Sequence, residues 1–273
     1  MAYSARVLLD SVSEAGIRLT TMEVTFPRFV LAEFNTHRNF SRNSASSRAI
    51  PTAKIVERVE SDPVLPVEWG RNQKGMSASE FLTPEDEEEA RRAWLDARDA
   101  VVEQVQRLQH LRVHKQVANR LLEPFLWHTV IVTATEWNNF FELRCAPSAQ
   151  PEIREAAVRM RAARKESTPQ LVPLGGWHLP LIQPDERRLD VETLKKISAA
   201  RCARVSYLTH AGTREMEKDL ELYERLRADR HLSPFEHVAT SLGDDAFHAN
   251  FRGWTQMRQE VESTPKYARE GLL

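Results

Sequence analysis

The 273-residue sequence predicts an α+β protein, rich in helix with a small sheet. Three observations predict it. Met22, Val24 and Phe26 alternate within Ile17 to Phe26, the period of a strand with one buried face. Glu85 to about Leu122 is charged and carries Trp94, Val101, Val105, Leu108 and Leu111 on one helical face. Helical spacing then recurs four more times along the chain. A hydrophobic fraction of 41% supplies an ordinary core.

In chain order, Pro27 fits the first turn of a helix that runs to about His37, with Phe29, Val30 and Phe34 at helical spacing. A polar, Ser- and Asn-rich stretch follows from Arg38 to Arg48. Asp62 to Pro84, with Pro63, Pro66, Gly70 and Gly75, reads as a long irregular excursion of the kind that usually has a function. Further helices are expected over Thr133 to Leu143, Gln150 to Lys165, Val191 to Ala203 and Thr213 to Arg230. Pro169 to Pro184 is the best linker, dividing residues 1–168 from residues 185–273, two parts that can still pack as one domain. Ser241 to Arg258 can be laid over Thr21 to Arg38, matching Leu242 with Met22, Trp254 with Phe34 and Arg258 with Arg38.

Formal net charge is −1, so the overall balance favours neither nucleic acid nor an anionic membrane, and a small ligand is the expected partner. The start of the chain lacks the apolar core of a signal peptide, and no apolar run is long enough for a bilayer. Cys145 and Cys202 are too few for a disulfide framework, so a reducing cytoplasm is expected. Neither cysteine has local context for a nucleophile.

Three stretches can carry chemistry. Thr36 to Arg48 holds three arginines, His37 and four serines in thirteen residues, a donor array suited to phosphate. A solvated polar loop fits the same composition. Arg120, then Glu136 to Arg144 and Gln150 to Arg154, offer arginine and amide groups able to read a pyrimidine edge, or simply the polar face of an amphipathic helix. His231-Leu-Ser-Pro-Phe-Glu-His237 follows Arg201 to Tyr207. Its spacing is not that of a zinc site, so no metal is expected, and Ser233 with Glu236 reads as a helix cap.

Together these motifs resemble the flavin-dependent thymidylate synthases. Thr36-His37-Arg38 with Ser46 matches their Arg-His-Arg, seven residues, Ser signature except at the first arginine. Leu143-Arg144, Ala149-Gln150-Pro-Glu152-Ile153, Ala203-Arg204-Val205-Ser206-Tyr207 and His231 to His237 match their other motifs. The Ser-Pro-Phe-Glu-His motif precedes the histidine–arginine motif in the family and follows it here, which resembles a circular permutation or a duplication.

The resemblance implies a helix-rich fold with a small mixed or antiparallel sheet. It implies methylation of uracil C5 in dUMP, UMP or both, with FAD as cofactor and methylenetetrahydrofolate and NADPH as co-substrates. A UMP-specific enzyme of nucleoside-antibiotic biosynthesis is one variant of that reading. His37, Arg38, Asn39, Ser41, Ser206, His231, Ser233 and Glu236 would hold the flavin. Glu33, Ser44, Ser46, Ser47, Arg48, Arg120, Arg144 and Gln150 would hold the nucleotide, with Arg144, Ser46 and Arg48 closest to the chemistry. Glu33 and Thr36 stand where the family has glutamine and arginine. A homotetramer is implied as well. The competing readings are a non-catalytic nucleotide or RNA binder built on Arg38 to Arg48, and a metal-dependent hydrolase using His231, Glu236 and His237.

Overall fold

The computed structural model describes residues 3–204 and 215–263. Strands β1 (Ser4–Ser13) and β2 (Arg18–Pro27) form an antiparallel ribbon. Its tight turn needs a left-handed residue, which Gly16 supplies at φ 78°. Pro27 is extended and paired with Trp127, so it closes β2 rather than opening a helix. The expected helix shrinks to a 3-10 turn (Arg28–Val30) and α1 (Leu31–Asn35). Strand β3 (Ser41–Ser44) and helix α2 (Thr52–Ser61) come next.

Helix α3 (Pro84–His110) carries signals at both ends. Thr83 Oγ1 accepts from Asp86 N at 3.2 Å, Pro84 opens the first turn beside Glu85, Asp86 and Glu87, and Arg107 and His110 lie in the last. The chain breaks at Arg112, which is left-handed at φ 58°, instead of continuing to Leu122. Residues beyond it form α4 (Lys115–Ala118) and a 3-10 turn (Asn119–Phe125). Val102 and Val105 are buried against α2, whereas Leu111 is exposed. The Asp62 to Pro84 excursion is tied down by Trp94, whose indole donates to the Val64 carbonyl at 2.9 Å and packs edge-on against Trp69.

The helix expected from Thr133 is replaced by strand β4 (Trp127–Ala134), and helix α5 (Asn138–Arg144) starts later. β4 lies between β3 and β2, buried on both faces, so its residues show no alternation to read. Helix α6 (Pro151–Glu166) covers the sheet through Ile153, Ala156, Ala157 and Met160. The expected linker is structured: β5 (Gln170–Val172) runs parallel to β1, and β6 (Trp177–His178) follows.

The remaining elements are α7 (Val191–Ala203), α8 (Met216–Ala228), a 3-10 turn (Ser233–Glu236), β7 (Ala239–Ser241), β8 (Phe247–His248), β9 (Phe251–Arg252), β10 (Trp254–Gln256) and α9 (Met257–Ser263). The main sheet is mixed, ordered β3-β4-β2-β1-β5, and a second runs β10-β7-β6. The two ends of the chain share a core, since Ile17 and Leu19 pack with Ala239, Phe251 and Trp254. The Trp254 indole donates to the Ile17 carbonyl at 3.1 Å. Phe34 and Trp254 are both fully buried, but one lies in α1 and the other in β10, so the internal match does not extend to the same element type.

A buried polar chain joins the halves further. Ser11 Oγ meets His178 Nδ1, His178 Nε2 meets Thr21 Oγ1, Thr21 Oγ1 meets Thr133 Oγ1 and Thr133 Oγ1 meets His237 Nδ1, each at 2.7 Å. Among the described residues His237 Nε2 has no hydrogen-bond partner.

Candidate functional site

Helix α5 delivers its last residue, Arg144, to the end of α1. Arg144 Nε donates to His37 Nε2 at 2.9 Å, and its Nη2 donates to Thr36 Oγ1 at 3.1 Å and to the Glu33 carbonyl at 3.4 Å. Two of the three sequence motifs therefore meet here. The His37 ring stands edge-on to Phe140, 4.9 Å between centroids. Burial, with the charges of Arg144 and Arg42, holds its pKa down at about 4. His37 is thus a neutral acceptor toward Arg144. Among the described residues Arg144 Nη1 has no bonded partner, and Glu33 Oε2 is a buried acceptor without a donor.

The following segment is partly turned inward. Ser41 is fully buried, and its hydroxyl receives Gln256 Nε2 at 2.8 Å and Asn250 Nδ2 at 3.0 Å. Ser47 is buried too and donates to Glu123 Oε1 at 3.0 Å. The hydroxyls of both serines, expected on ligands, are thus spent inside the chain. Arg120 also points at Glu123, 2.6 Å away, and Arg28 stands 3.1 Å from the same carboxylate. Asn119 clamps the segment by donating to the carbonyls of Ser47 and Ile50 at 2.7 and 3.1 Å.

Arg38, Asn39, Ser44 and Arg48 are exposed, and neither Arg38 nor Arg48 has an ion pair among the described residues. Ser46 and Arg48 line a groove of about 880 Å³ together with Arg204 and His231. Arg204 is set there by Asp219, a buried carboxylate that also receives Arg201 at 2.9 Å. Gln150 lies apart from this cluster, its amide donating to Glu152 at 3.0 Å.

The Ser233–Glu236 turn packs against β3, which brings the third motif to the first two. The turn begins at Ser233 itself, and no side chain caps it, so the expected capping box does not form. Ser233 and His231 are exposed, while Glu236 is paired with Arg258 at 2.5 Å. His237 is fully buried and turned toward Thr133, so it does not converge with His231. Ser206 and Tyr207 lie outside the described residues. Burial raises the thiol pKa of both Cys145 and Cys202, which suits packing rather than nucleophilic roles. Sequence reasoning missed Glu123, Asn250 and Gln256, because nothing local to them signals partners so distant in the chain.

The family described as thymidylate synthase complementing protein matches residues 17–170, more than half of the chain. The chain belongs to that family. The matched range holds His37 to Arg48, Arg120 and Arg144, and ends before Arg204 and the 231–237 motif. Among solved structures, the chain is similar to a UMP/dUMP methylase, PolB, from Streptomyces cacaoi bound with 5-Br UMP. That likeness has 17% identity and a TM-score of 0.49, and covers 60% of this chain and 89% of that one. The same methylase bound with 5-Br dUMP gives 16% identity, a TM-score of 0.48 and coverage of 60% and 91%. A comparison with curated proteins finds no match.

Proposed function

We propose that the protein methylates C5 of a uridine nucleotide, dUMP, UMP or both, as a flavin-dependent enzyme of thymidylate synthase type. The observation that carries this reading is the convergence of Arg144, His37 and the Arg38 to Arg48 segment inside the range matched by the family. Open donors suit the group the reading requires. Arg38 and Arg48 are exposed cations without ion pairs among the described residues, the kind of donor a pyrophosphate takes. In this reading Arg38, Asn39, His231, Ser233 and Glu236 border the FAD, and Ser44, Ser46 and Arg48 border the nucleotide.

Arg144 Nη1 and Glu33 Oε2 are an open donor and an open acceptor belonging to one cluster. Such a pair complements the carbonyl and N–H edge of uracil. Arg144 would stabilise charge developing on the pyrimidine oxygen, with His37 fixing its guanidinium plane. Thr36, in place of the family arginine, accepts from Arg144 and so supports its position. Bound reduced flavin supplies a hydride and methylenetetrahydrofolate the carbon. The chain's own work is to orient and to hold charge.

We extend the proposal to a cytoplasmic homotetramer using NADPH. Among the described residues no helix is long and apolar enough to cross a membrane. The test is a purified preparation, inspected for flavin absorbance and assayed with methylenetetrahydrofolate, NADPH and each nucleotide in turn. Failure to methylate either nucleotide would retire the proposal.

A further inference from the structure

Gln256 is 3% exposed, yet its amide touches three separate segments. Nε2 lies 2.8 Å from Ser41 Oγ, 2.8 Å from Asn250 Oδ1 and 3.3 Å from the Glu236 carbonyl. Two amide hydrogens are thus shared among three acceptors. Asn250 completes the triangle, donating to Ser41 Oγ at 3.0 Å and to the Asn39 carbonyl at 3.2 Å.

The frame behind these two amides is regular. Gln256 ends β10 opposite Ala239 of β7, and Met257 N donates to the Val238 carbonyl at 2.8 Å. Its distance from Glu236 is therefore set by strand pairing two residues away. Asn250 occupies the turn of the β8–β9 hairpin beside Ala249, which is left-handed at φ 57°. That hairpin is anchored in turn, with Arg252 Nε donating to Glu136 at 2.9 Å and Arg252 N to Thr135 Oγ1 at 3.0 Å.

From this we infer that Gln256 and Asn250 are positioning residues that fix the His37 to Ser44 segment relative to the Ser233–Glu236 turn. They touch no ligand. They act through Ser41, whose buried hydroxyl is the shared acceptor, and through the backbone of Asn39 and Glu236. The inference rests on the proposed function only in naming what is positioned, namely the two sides of the flavin site. A buried amide suits the task because its donors cannot be replaced by water once removed, so the spacing is held or lost as a unit.

Gln256→Glu tests it, since a carboxylate of equal size turns an acceptor toward three oxygens. Gln256→Met, which removes the donors without adding charge, keeps the test usable if the first variant does not fold. Two readouts separate this inference from the reading it rests on. Backbone amide exchange over residues 39–43 and 235–237 should rise at least tenfold in either variant, with the amides of β2 and β4 unchanged. Titration with FAD, followed by flavin fluorescence, should show dissociation constants raised about tenfold at 25 °C. Unchanged exchange over both segments would overturn the positioning role. Raised exchange together with unaltered FAD affinity would overturn its link to the site. Raised exchange in a protein whose unsubstituted form binds no FAD would uphold the positioning and remove the flavin reading instead.

Discussion

Arg144 and His37 share a hydrogen bond of 2.9 Å in which the arginine Nε donates and the imidazole Nε2 accepts. The bond requires a neutral ring, and the His37 pKa of about 4 keeps it neutral through the physiological range. Arg144→Ala should lower turnover by about a hundredfold or more, the usual effect of losing a donor at developing charge. Thermal melting should shift by only a few degrees, about 1–2 kcal/mol, because the arginine is only half-buried. Near-normal turnover would remove Arg144 from the uracil edge.

Asn119 is fully buried and satisfies the carbonyls of Ser47 and Ile50 with one amide group. Asn119→Ala leaves both carbonyls without a donor, at a cost of about 1–3 kcal/mol each. Asn119→Asp should be worse, since it faces two acceptors with a third. Urea denaturation gives the ranking, and nucleotide titration should show weaker binding in whatever variant folds. Equal stability of the two variants would mean that water replaces the amide.

Burial is the first cause holding His128, His178 and His237 at about 3, far below the ordinary 6.5. As pH falls through 6.5 the unfolded chain takes up these protons and the folded chain does not. Stability is therefore fully present above the unfolded value and declines with acid until about pH 3. Each histidine contributes a slope of up to about 1.4 kcal/mol per pH unit. Between about pH 6 and 4.5, before most carboxylates titrate, His237→Asn should reduce the slope by about one quarter, because His37, held at about 4, contributes beside the other three. A pH-independent unfolding free energy in that window contradicts the assignment.

Lys195 is 1% exposed, with its ammonium on Glu192 and Glu260 at 2.9 Å and 4.2 Å above the Trp177 ring. Both carboxylates are more than half exposed, so removing the lysine leaves them hydrated rather than stranded. Lys195→Met, which keeps the stem packed, should cost about 1–2 kcal/mol, and Lys195→Ala about 2 kcal/mol more. Chemical denaturation distinguishes these values. A methionine variant as unstable as the alanine one would show that charge, not packing, holds α7 to α9.

Helices with capped ends were legible. Asp190 accepts from Thr193 N at 2.9 Å and opens α7 where the spacing places it, and Pro151 opens α6. β4 was hidden because a strand buried on both faces has no period, and β5 to β10 are only two or three residues each, too short to show one. At the site, the motif spacings pointed to His37, Arg144 and Glu236, all of which lie in the joined region. The inward serines were not legible, since Ser41 and Ser46 look alike until Gln256, 215 residues away from Ser41, claims the first. Roles created by distant partners leave no local trace.

The run of hydroxyls and imidazoles from Ser11 to His237 has an orientational consequence. Each neutral ring gives a hydrogen on one side and takes one on the other, so if Ser11 gives to His178 and both threonine hydroxyls keep their hydrogens within the row, every later group gives in the same sense. Under that condition, reversal at any one member forces reversal along the whole row. The same five side chains then have two arrangements, one ending in an N–H at His237 Nε2 and the other in a bare lone pair, and an acceptor or a donor set against that buried nitrogen would select between them.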